Sequence, residues 1–576
     1  MCVSQHYRFT KTVGNQGNMS AQKGGTMTRS ENTSVNPILP EGAIAKLRSL
    51  GQAREVAVGE VVVSQGKPMV SFIVVESGNL SVDVRSHVGV SHLGDHIPGQ
   101  FFGDVDLLSG RPSVISARVT EAGTFLFVPR TELKQLMAAD TQLGELLLRT
   151  FILRRVELLA NGHADGIVVG SRNSVGTLRI REFLTRNGYP HAFLDLDRDK
   201  EVQSTMDAFN LILEDIPVLI LRGQEVLRNP SDAEIAAYLG LNASVDAEEI
   251  RDVAIVGAGP AGLSAAVYAA SEGLSAILLE TKAPGGQAGS SSKIENYLGF
   301  PTGISGLELA SRAYTQSQKF GAELLIARSA VQLSCSGQPY ELKTSENTSV
   351  RCSAVVIATG AQYRKLQLPN LEAFEGVGVY YGATAIEAQA CGDENVIVVG
   401  GGNSAGQAAV FLSQSVRHVH ILIRRGNLAD TMSRYLVQRI EQSPKITLHP
   451  YTEIVELRGG GHLESVVVHD SSTATDTAWN IRHVYLMTGA SPNTDWLRGC
   501  VVLDDKGFVK TGPDLSPQEL SEANWPLQRR PHLLETSLPG VFAVGDVRSG
   551  SVKRVASGVG EGSLSVHFVH LALAEG

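Results

Sequence analysis

Two glycine-rich turns in this chain have the residue types and spacing to hold phosphate. One runs Val253-Ala-Ile-Val-Gly257-Ala-Gly259-Pro260-Ala261-Gly262; the other runs Val396-Ile-Val-Val-Gly400-Gly-Gly402-Asn403-Ser404-Ala405. Each is an apolar β-type run, a Gly-x-Gly-x-x-Gly/Ala turn and an Ala-rich helical pattern, in which glycines let the backbone and a helix N-terminus approach a pyrophosphate. Glu280 follows Gly257 by 23 residues, the place where a carboxylate accepts from a ribose hydroxyl. After the second turn the run Val419–Ile423 leads instead into Arg424-Arg425. An NAD site calls for an acidic residue there, whereas paired guanidiniums suit a 2′-phosphate, so NADPH is preferred over NADH. One such turn is weak evidence; two in one chain imply two dinucleotides held face to face. Between the two turns stands Gly382-Ala383-Thr384-Ala385, a stretch without sulfur.

These groups need strand–turn–helix units to carry them, and the chain has room for several. At 576 residues, 43% apolar and 19% charged, it is an ordinary globular composition spread over more than one core. The net charge is −9 and no Lys/Arg-rich run occurs, which argues against nucleic acid or an anionic membrane surface as partner. No apolar stretch reaches membrane-spanning length, and residues 1–35 lack the apolar core of a secretory signal, so a cytoplasmic protein is expected. Five cysteines (Cys2, Cys335, Cys352, Cys391, Cys500) are scattered, with no C-x-x-C, and no metal site is expected.

Residues 1–36 are rich in Ser, Thr, Gly and Asn and are expected to be disordered, with Met19 and Met27 as alternative translation starts. Over residues 37–162 short β runs (Val61–Val63, Phe72–Glu76, Leu80–Val84, Ala117–Val119, Phe125–Val128) are punctuated by Gly59, Gly66, Gly78 and Gly99, and a helical pattern covers Thr131–Leu159. Together with Gly99-Gln-Phe-Phe-Gly103-Asp104 running on to Arg111-Pro112-Ser113, this segment resembles the cyclic-nucleotide-binding domain. In that family a Gly-Glu pair holds the ribose and an Arg pairs with the cyclic phosphate; here Asp104 stands for the Glu and Ser113 for the Arg. A serine hydroxyl cannot replace the guanidinium fork. Arg111 is the alternative cation, and the favoured reading is a barrel that serves as an interface, with cyclic-nucleotide binding disfavoured.

Residues 163–246 alternate strand and helix: Ile167–Val169, Ala192–Leu196, Val218–Leu221, then a helix near Ser231–Leu239. Ile216-Pro217-Val218 resembles the cis-proline position of the thioredoxin fold, yet Gly170-Ser171-Arg172-Asn173-Ser174 stands where a redox C-x-x-C would be. Without a thiol this domain cannot exchange disulfides, and it is expected to act as a spacer.

The rest of the chain adds Gly285-Gly286-Gln287, Glu295-Asn296-Tyr297, Ala358-Thr359-Gly360 and Gly540-Val-Phe-Ala-Val-Gly545-Asp546-Val547, in that order. The set resembles the low-molecular-weight thioredoxin reductases and their two-dinucleotide flavoprotein relatives. That resemblance implies an α/β flavoprotein with a split FAD domain (residues 247–366 and 491–576) around an inserted NADPH-binding domain (residues 367–490). It implies FAD on Gly257, Gly259, Pro260, Ala261, Gly262, Glu280, Gly285, Gly286, Gln287, Asn296, Thr359, Gly360, Asp546 and Val547, with Lys553, Arg554 and Val555 near the flavin. NADPH falls to Gly400, Gly402, Asn403, Ser404, Ala405, Arg424, Arg425 and Gly489. A further basic residue expected four positions past the arginine pair is Ala429 here, and Arg434 is out of register.

In the thioredoxin reductases a Cys-Ala-Thr-Cys dithiol sits shortly before the second turn. Gly382 and Ala385 replace both sulfurs here, and Cys391 alone cannot cycle as an internal disulfide. Cys335 and Cys352 are read as buried packing residues. Transfer from NADPH to FAD needs no protein thiol, so the leading expectation is an NADPH-dependent FAD oxidoreductase acting on a quinone or another non-dithiol acceptor. A disulfide reductase using remote cysteines, and a non-catalytic nucleotide- or redox-sensing regulator, are the alternatives. Both families commonly pair, so a homodimer is expected.

Overall fold

The computed structural model describes residues 35–575 apart from 87–88, 161–164, 173, 200–201, 223, 243–244, 247, 292, 369, 384–387 and 389–390. Residues 1–34 of the tail expected to be disordered, with the starts at Met19 and Met27, and the expectation attached to Ala385 lie outside the described residues; Val35 and Asn36, at the end of that tail, are held by Arg154.

Alternating apolar positions build the first unit from two four-stranded antiparallel sheets. One orders Gln52–Val56, Gly123–Pro129, Ser71–Val75 and Phe101–Phe102; the other orders Val61–Val63, Ser116–Glu121, Asn79–Ser86 and Gly89–His96. Leu80, Val82 and Val84 point inward from one strand, as a period of two requires. Gln52–Val56 escapes sequence reading because only its last residue is buried. The helix expected over Thr131–Leu159 is two helices, Arg130–Ala139 and Thr141–Ala160. Asp140 breaks it: its backbone is extended, and its carboxylate accepts from Leu143 N at 3.1 Å, capping the second helix.

The second unit is a four-stranded sheet. Gly166–Gly170 pairs in parallel with His191–Asp195 and antiparallel with Val218–Leu221, which pairs with Glu225–Arg228. The peptide Ile216–Pro217 is cis, at the entry to Val218–Leu221.

The third unit is a seven-stranded sheet. Its parallel core orders Glu323–Ile326, Ala276–Glu280, Ile250–Val256, Ser349–Ile357 and Val541–Ala543, so chain segments on both sides of residues 367–490 meet in one sheet. Ile250–Val256 lies between Ala276–Glu280 and Ser349–Ile357, so the strand order reverses beside it and opens a crevice at the carboxyl ends. The helix Pro260–Ser271 is crossed by the C-terminal helix Val555–Glu575, so closely that a Cβ on Gly562 would strike the Ala261 carbonyl. The inserted unit has its own parallel sheet (Val379–Tyr380, His483–Leu486, Asn395–Val399, His418–Leu422, Ile446–His449) and a three-stranded meander, Thr452–Trp479. Its two connections pair as a ribbon, Ala361–Tyr363 with Ala490–Pro492.

The two N-terminal units are packed into the third rather than tethered to it. One apolar cluster contains residues of all three. Asn242 bonds both backbone groups of Ile326, at 2.6 and 2.8 Å, and Arg111 Nη2 donates to Tyr314 Oη at 2.7 Å.

Candidate functional site

The first glycine turn leaves strand Ile250–Val256 at Gly257, whose φ of +104° disfavours any residue with a side chain. A Cβ on Gly262 would collide with the Gly257 carbonyl, so helix and turn can close only on glycine. Gly259, by contrast, faces open space, as does Gly360 on the neighbouring strand end. These are the approaches a dinucleotide backbone needs.

Glu280 is only 8% exposed and ends its strand beside the turn. One carboxylate oxygen accepts from Ala258 N at 2.8 Å, the other from Lys282 N at 2.9 Å and Thr281 Oγ1 at 3.2 Å. A carboxylate has about four acceptor sites, so one stays available to a ribose hydroxyl. Gly285 N donates to the Ala258 carbonyl at 2.7 Å, and a Cβ on Gly286 would lie 3.0 Å from Gly259 Cα, which lays the loop Gly285–Gln287 on the turn. Gln287 donates from its side-chain amide to the Ala361 carbonyl, and Thr359 and Asn493 exchange two hydrogen bonds of 2.8 Å each. Asp546 and Val547 follow Gly545 at the end of Val541–Ala543, and Gly545 N is held by Glu561 at 2.7 Å. The half-buried Asp546 carboxylate makes no hydrogen bond among the described residues, and burial pushes its pKa up. Such a carboxylate is matched to hydroxyls. Lys553 Nζ lies 4.7 Å from the Phe508 ring, Arg554 is exposed, and Val555 opens the last helix. Asn296 is exposed, and nothing among the described contacts draws it to the turn.

In the inserted unit Gly400 has φ +139°, and a Cβ there would meet the Met487 carbonyl; Gly402 is open, like Gly259. Asn403 Oδ1 accepts from Ser433 N and Oγ at 2.7 and 3.0 Å, Ser404 is exposed, and Ala405 is buried. Gly400 N bonds Leu422 O at 3.0 Å as Gly257 N bonds Leu279 O at 2.8 Å. By that register buried Ile423 stands where Glu280 stands, so the ribose acceptor is gone. Arg424 and Arg425 follow it, exposed, with no side-chain hydrogen bond or ion pair among the described residues. A guanidinium pair without a protein partner beside an open glycine turn fits a 2′-phosphate. Gly489 lies at the return connection with φ +46°.

Gly382, half-buried, is set against a loop of the third unit: a Cβ on it would find Ser290 Cβ at 3.8 Å, directly after the turn of helix Gly286–Gly289. The same boundary is bridged by Arg439 to Glu295 at 2.6 Å.

The remaining cysteines are elsewhere. Cys335 is not the packing residue expected but pairs with Cys500, Cα to Cα 5.6 Å, across 165 residues. The strand Ala330–Ser334 ends beside the segment that follows Asp495–Leu497, a meeting no sequence spacing announces. Cys335 lines a cavity with Gly540, at the amino end of Val541–Ala543 and so on the edge opposite Gly545–Val547. Cys352 is buried in its strand, and burial pushes its thiol up to about 12. Cys391 is buried with its sulfur 2.8 Å from Tyr485 Oη.

In the barrel, the residues aligned with a phosphate site are committed to the protein. Arg111 does not substitute for the missing cation: it is stacked over Tyr314, 5.2 Å from the ring, besides bonding its hydroxyl. Ser113 Oγ donates to Ile115 O at 2.9 Å. Asp104 caps the short helix Val105–Ser109 and pairs with Arg155 at 3.3 Å; burial and neighbouring Asp106 raise its pKa. Arg154 reaches in from helix Thr141–Ala160 to the carbonyls of Val35, Gly103 and Phe101 and to Asn36 and His96, at 2.7–3.2 Å. The cavity around it measures about 120 Å³, below the roughly 300 Å³ at which small-ligand pockets begin. Burial, then Arg154, holds His96 down to about pH 3. Its unfolded value is near 6.5, so the stability it contributes is complete above pH 6.5 and is lost as pH falls toward 3. His96→Gln should flatten the acid limb of a thermal-melt series between pH 6.5 and 4 by about 1 kcal/mol per unit; an unchanged slope would refute it.

The comparisons with known proteins agree with this geometry. The profile of the pyridine nucleotide-disulphide oxidoreductases matches residues 251–562, and that of the cyclic nucleotide-binding domain matches residues 53–140. An NADPH-dependent thioredoxin reductase from Arabidopsis thaliana is 32% identical over 60% of this chain and 64% of its own, so the chain spans just under two thirds of that relative. A thioredoxin reductase from Streptomyces clavuligerus is 32% identical over 54% of this chain and 91% of its own. The crystal structure of Lactococcus lactis thioredoxin reductase superposes with a TM-score of 0.50 at 27% identity, covering 56% of this chain and 99% of that one. Among the described residues no helix is long and apolar enough to cross a membrane. The chain therefore belongs to the pyridine nucleotide-disulphide oxidoreductase family, as a thioredoxin-reductase-like oxidoreductase with FAD and NADPH as cofactors and a cyclic nucleotide-binding domain fused in front.

Proposed function

We propose that this protein passes electrons from NADPH through FAD to an acceptor that meets the flavin directly, a quinone being the favoured class. The observation that carries the reading is Gly382: it stands beside the flavin loop at Ser290 in a tetrapeptide without sulfur. When bound, FAD supplies the two-electron chemistry that links the nicotinamide to the acceptor. The balance is simple, since NADPH gives up a hydride and the quinone, with a proton from solvent, becomes the hydroquinone. The chain's own residues bind and orient: the turn Gly257–Gly262, Glu280 and Asp546 hold FAD, and Gly400–Ala405 with Arg424 and Arg425 hold NADPH. A glycine at 382, where the resemblance expects a cysteine, gives a flat acceptor room.

Anaerobic mixing with NADPH should bleach the flavin absorbance, and a quinone should restore it at an undiminished rate after all accessible thiols are alkylated. A spectrum unmoved by NADPH would end this reading. Loss of acceptor reduction when the NADPH-reduced protein is alkylated would favour instead a disulfide reductase, for which Cys335–Cys500 is the available pair. Its place on the opposite sheet edge speaks against it. The engaged Arg154, Arg111 and Asp104 support a barrel that serves as a docking domain rather than a cyclic-nucleotide sensor. A homodimer working in the cytoplasm, and the domain limits 37–162, 163–246, 247–366, 367–490 and 491–576, belong to the same proposal.

A further inference from the structure

The cysteine-free thioredoxin-like domain touches the flavin loop. Its helix Val175–Arg186 buries Thr177, Ile180, Phe183 and Leu184 against its own sheet and ends at the third unit. Arg186 Nη2 donates to the Gly286 carbonyl at 2.9 Å, and a Cβ on Gly289 would lie 3.6 Å from the same nitrogen. The next residue, Asn187, donates from its side-chain amide to the Lys282 carbonyl at 3.2 Å. Two successive residues thus grip the stretch 282–286 at both ends. That stretch runs from the Lys282 amide on Glu280 to Gly286 on Gly259, so it joins the ribose carboxylate to the pyrophosphate turn.

The grip has the chemistry of a fixed post. The Arg186 side chain is 14% exposed and is steadied by Glu182 one turn earlier, at 3.3 Å. Gly285 and Gly286 both have positive φ, +105° and +52°, in a glycine pair that has little conformational preference of its own. A loop of that kind gains order from an outside contact, and ordering it before the ligand arrives spares binding that entropy.

We propose that Arg186 is a positioning residue of the FAD site, supplied by the thioredoxin-like domain from outside the two-dinucleotide unit: it fixes the loop Gly285–Gly289 in the form that receives the cofactor. This rests on FAD occupying the turn Gly257–Gly262. The domain then has a role that needs no thiol, in keeping with the absence of cysteine from Gly170–Ser174.

The test uses the full-length protein stripped of flavin. Arg186→Met keeps the aliphatic stem and removes the donors, whereas Arg186→Lys restores one charged donor. Amide exchange at Gly285 and Gly289 should quicken about tenfold in Arg186→Met, the effect of one charge-assisted hydrogen bond. Exchange in the strand Ile250–Val256 should not change. FAD should bind Arg186→Met about tenfold more weakly in a fluorescence titration, and Arg186→Lys should recover both readouts. Unchanged loop exchange in Arg186→Met overturns the proposal while leaving the cofactor assignment intact. Failure of Arg186→Lys to recover exchange and binding also overturns it. If the unaltered protein takes up no FAD, the cofactor assignment falls and this role with it.

Discussion

Replacing Arg424 and Arg425 together by alanine should raise KM for NADPH about 100-fold while changing the use of NADH by no more than about twofold. Both guanidiniums are exposed and lack a side-chain partner among the described residues, so neither has a structural duty that alanine would undo. A charge-assisted hydrogen bond to phosphate contributes about 1.5–3 kcal/mol, and exposure brings each arginine to the lower limit, roughly tenfold apiece. The asymmetry between coenzymes follows from Ile423. It takes the register of Glu280 but offers no acceptor to a 2′-hydroxyl, so NADH has nothing to lose there. Substitution by lysine should restore part of the NADPH preference, because a point charge attracts the phosphate without the bidentate fork. Steady-state kinetics with both coenzymes decides it: an equal loss for NADH would mean that the pair supports the fold, and no loss for NADPH would place the phosphate elsewhere.

The parts of this site that the sequence displays are those encoded locally. Gly257, Gly262 and Glu280 are set by one strand, one turn and the next strand, each within reach of its own hydrogen-bonding and steric rules. The same holds for Gly400–Ala405 and for Ile216–Pro217. Pairings between distant segments leave no such mark. Cys335 and Cys500 meet only because a hairpin end and a connection after the return strand converge, and neither shows a disulfide spacing. Arg186 has the look of any basic residue in the last turn of a helix, where a cation suits the dipole; its partner Gly286 is 100 residues away. Arg154 likewise sits in a helix whose apolar periodicity hides an inward-pointing guanidinium, made tolerable by five acceptors gathered from three segments. Arg111 was legible as a cation near the barrel's phosphate position, but its actual partner, Tyr314, belongs to another unit. The inserted tetrapeptide is the mixed case. Its lack of sulfur is plain in the sequence, whereas its placement against Ser290 needed the structure.

That placement makes the proposed role of the sulfur-free tetrapeptide testable. The double variant Gly382→Cys/Ala385→Cys introduces Cys-Ala-Thr-Cys, and it should reduce a small aromatic disulfide at least about tenfold faster than the parent with NADPH as donor. Gly382 is not among the glycines with positive φ, so a side chain there requires no strained backbone. A Cβ added to it meets Ser290 at 3.8 Å, an ordinary contact, and the thiol would project at the flavin-loop boundary rather than into packed core. The electron balance closes: two electrons from NADPH open the new disulfide to a dithiol, which passes them on by exchange through a mixed disulfide. The single variant Gly382→Cys should gain nothing, since one sulfur cannot form the internal disulfide. Quinone reduction should fall in the double variant, because the added sulfur occupies the space the glycine leaves. Should the double variant reduce no disulfide while NADPH still bleaches its flavin, the tetrapeptide is not the vanished redox centre and the acceptor route runs elsewhere. Should both activities rise, Gly382 does not shape the acceptor's approach, and the quinone reading loses the observation it stands on.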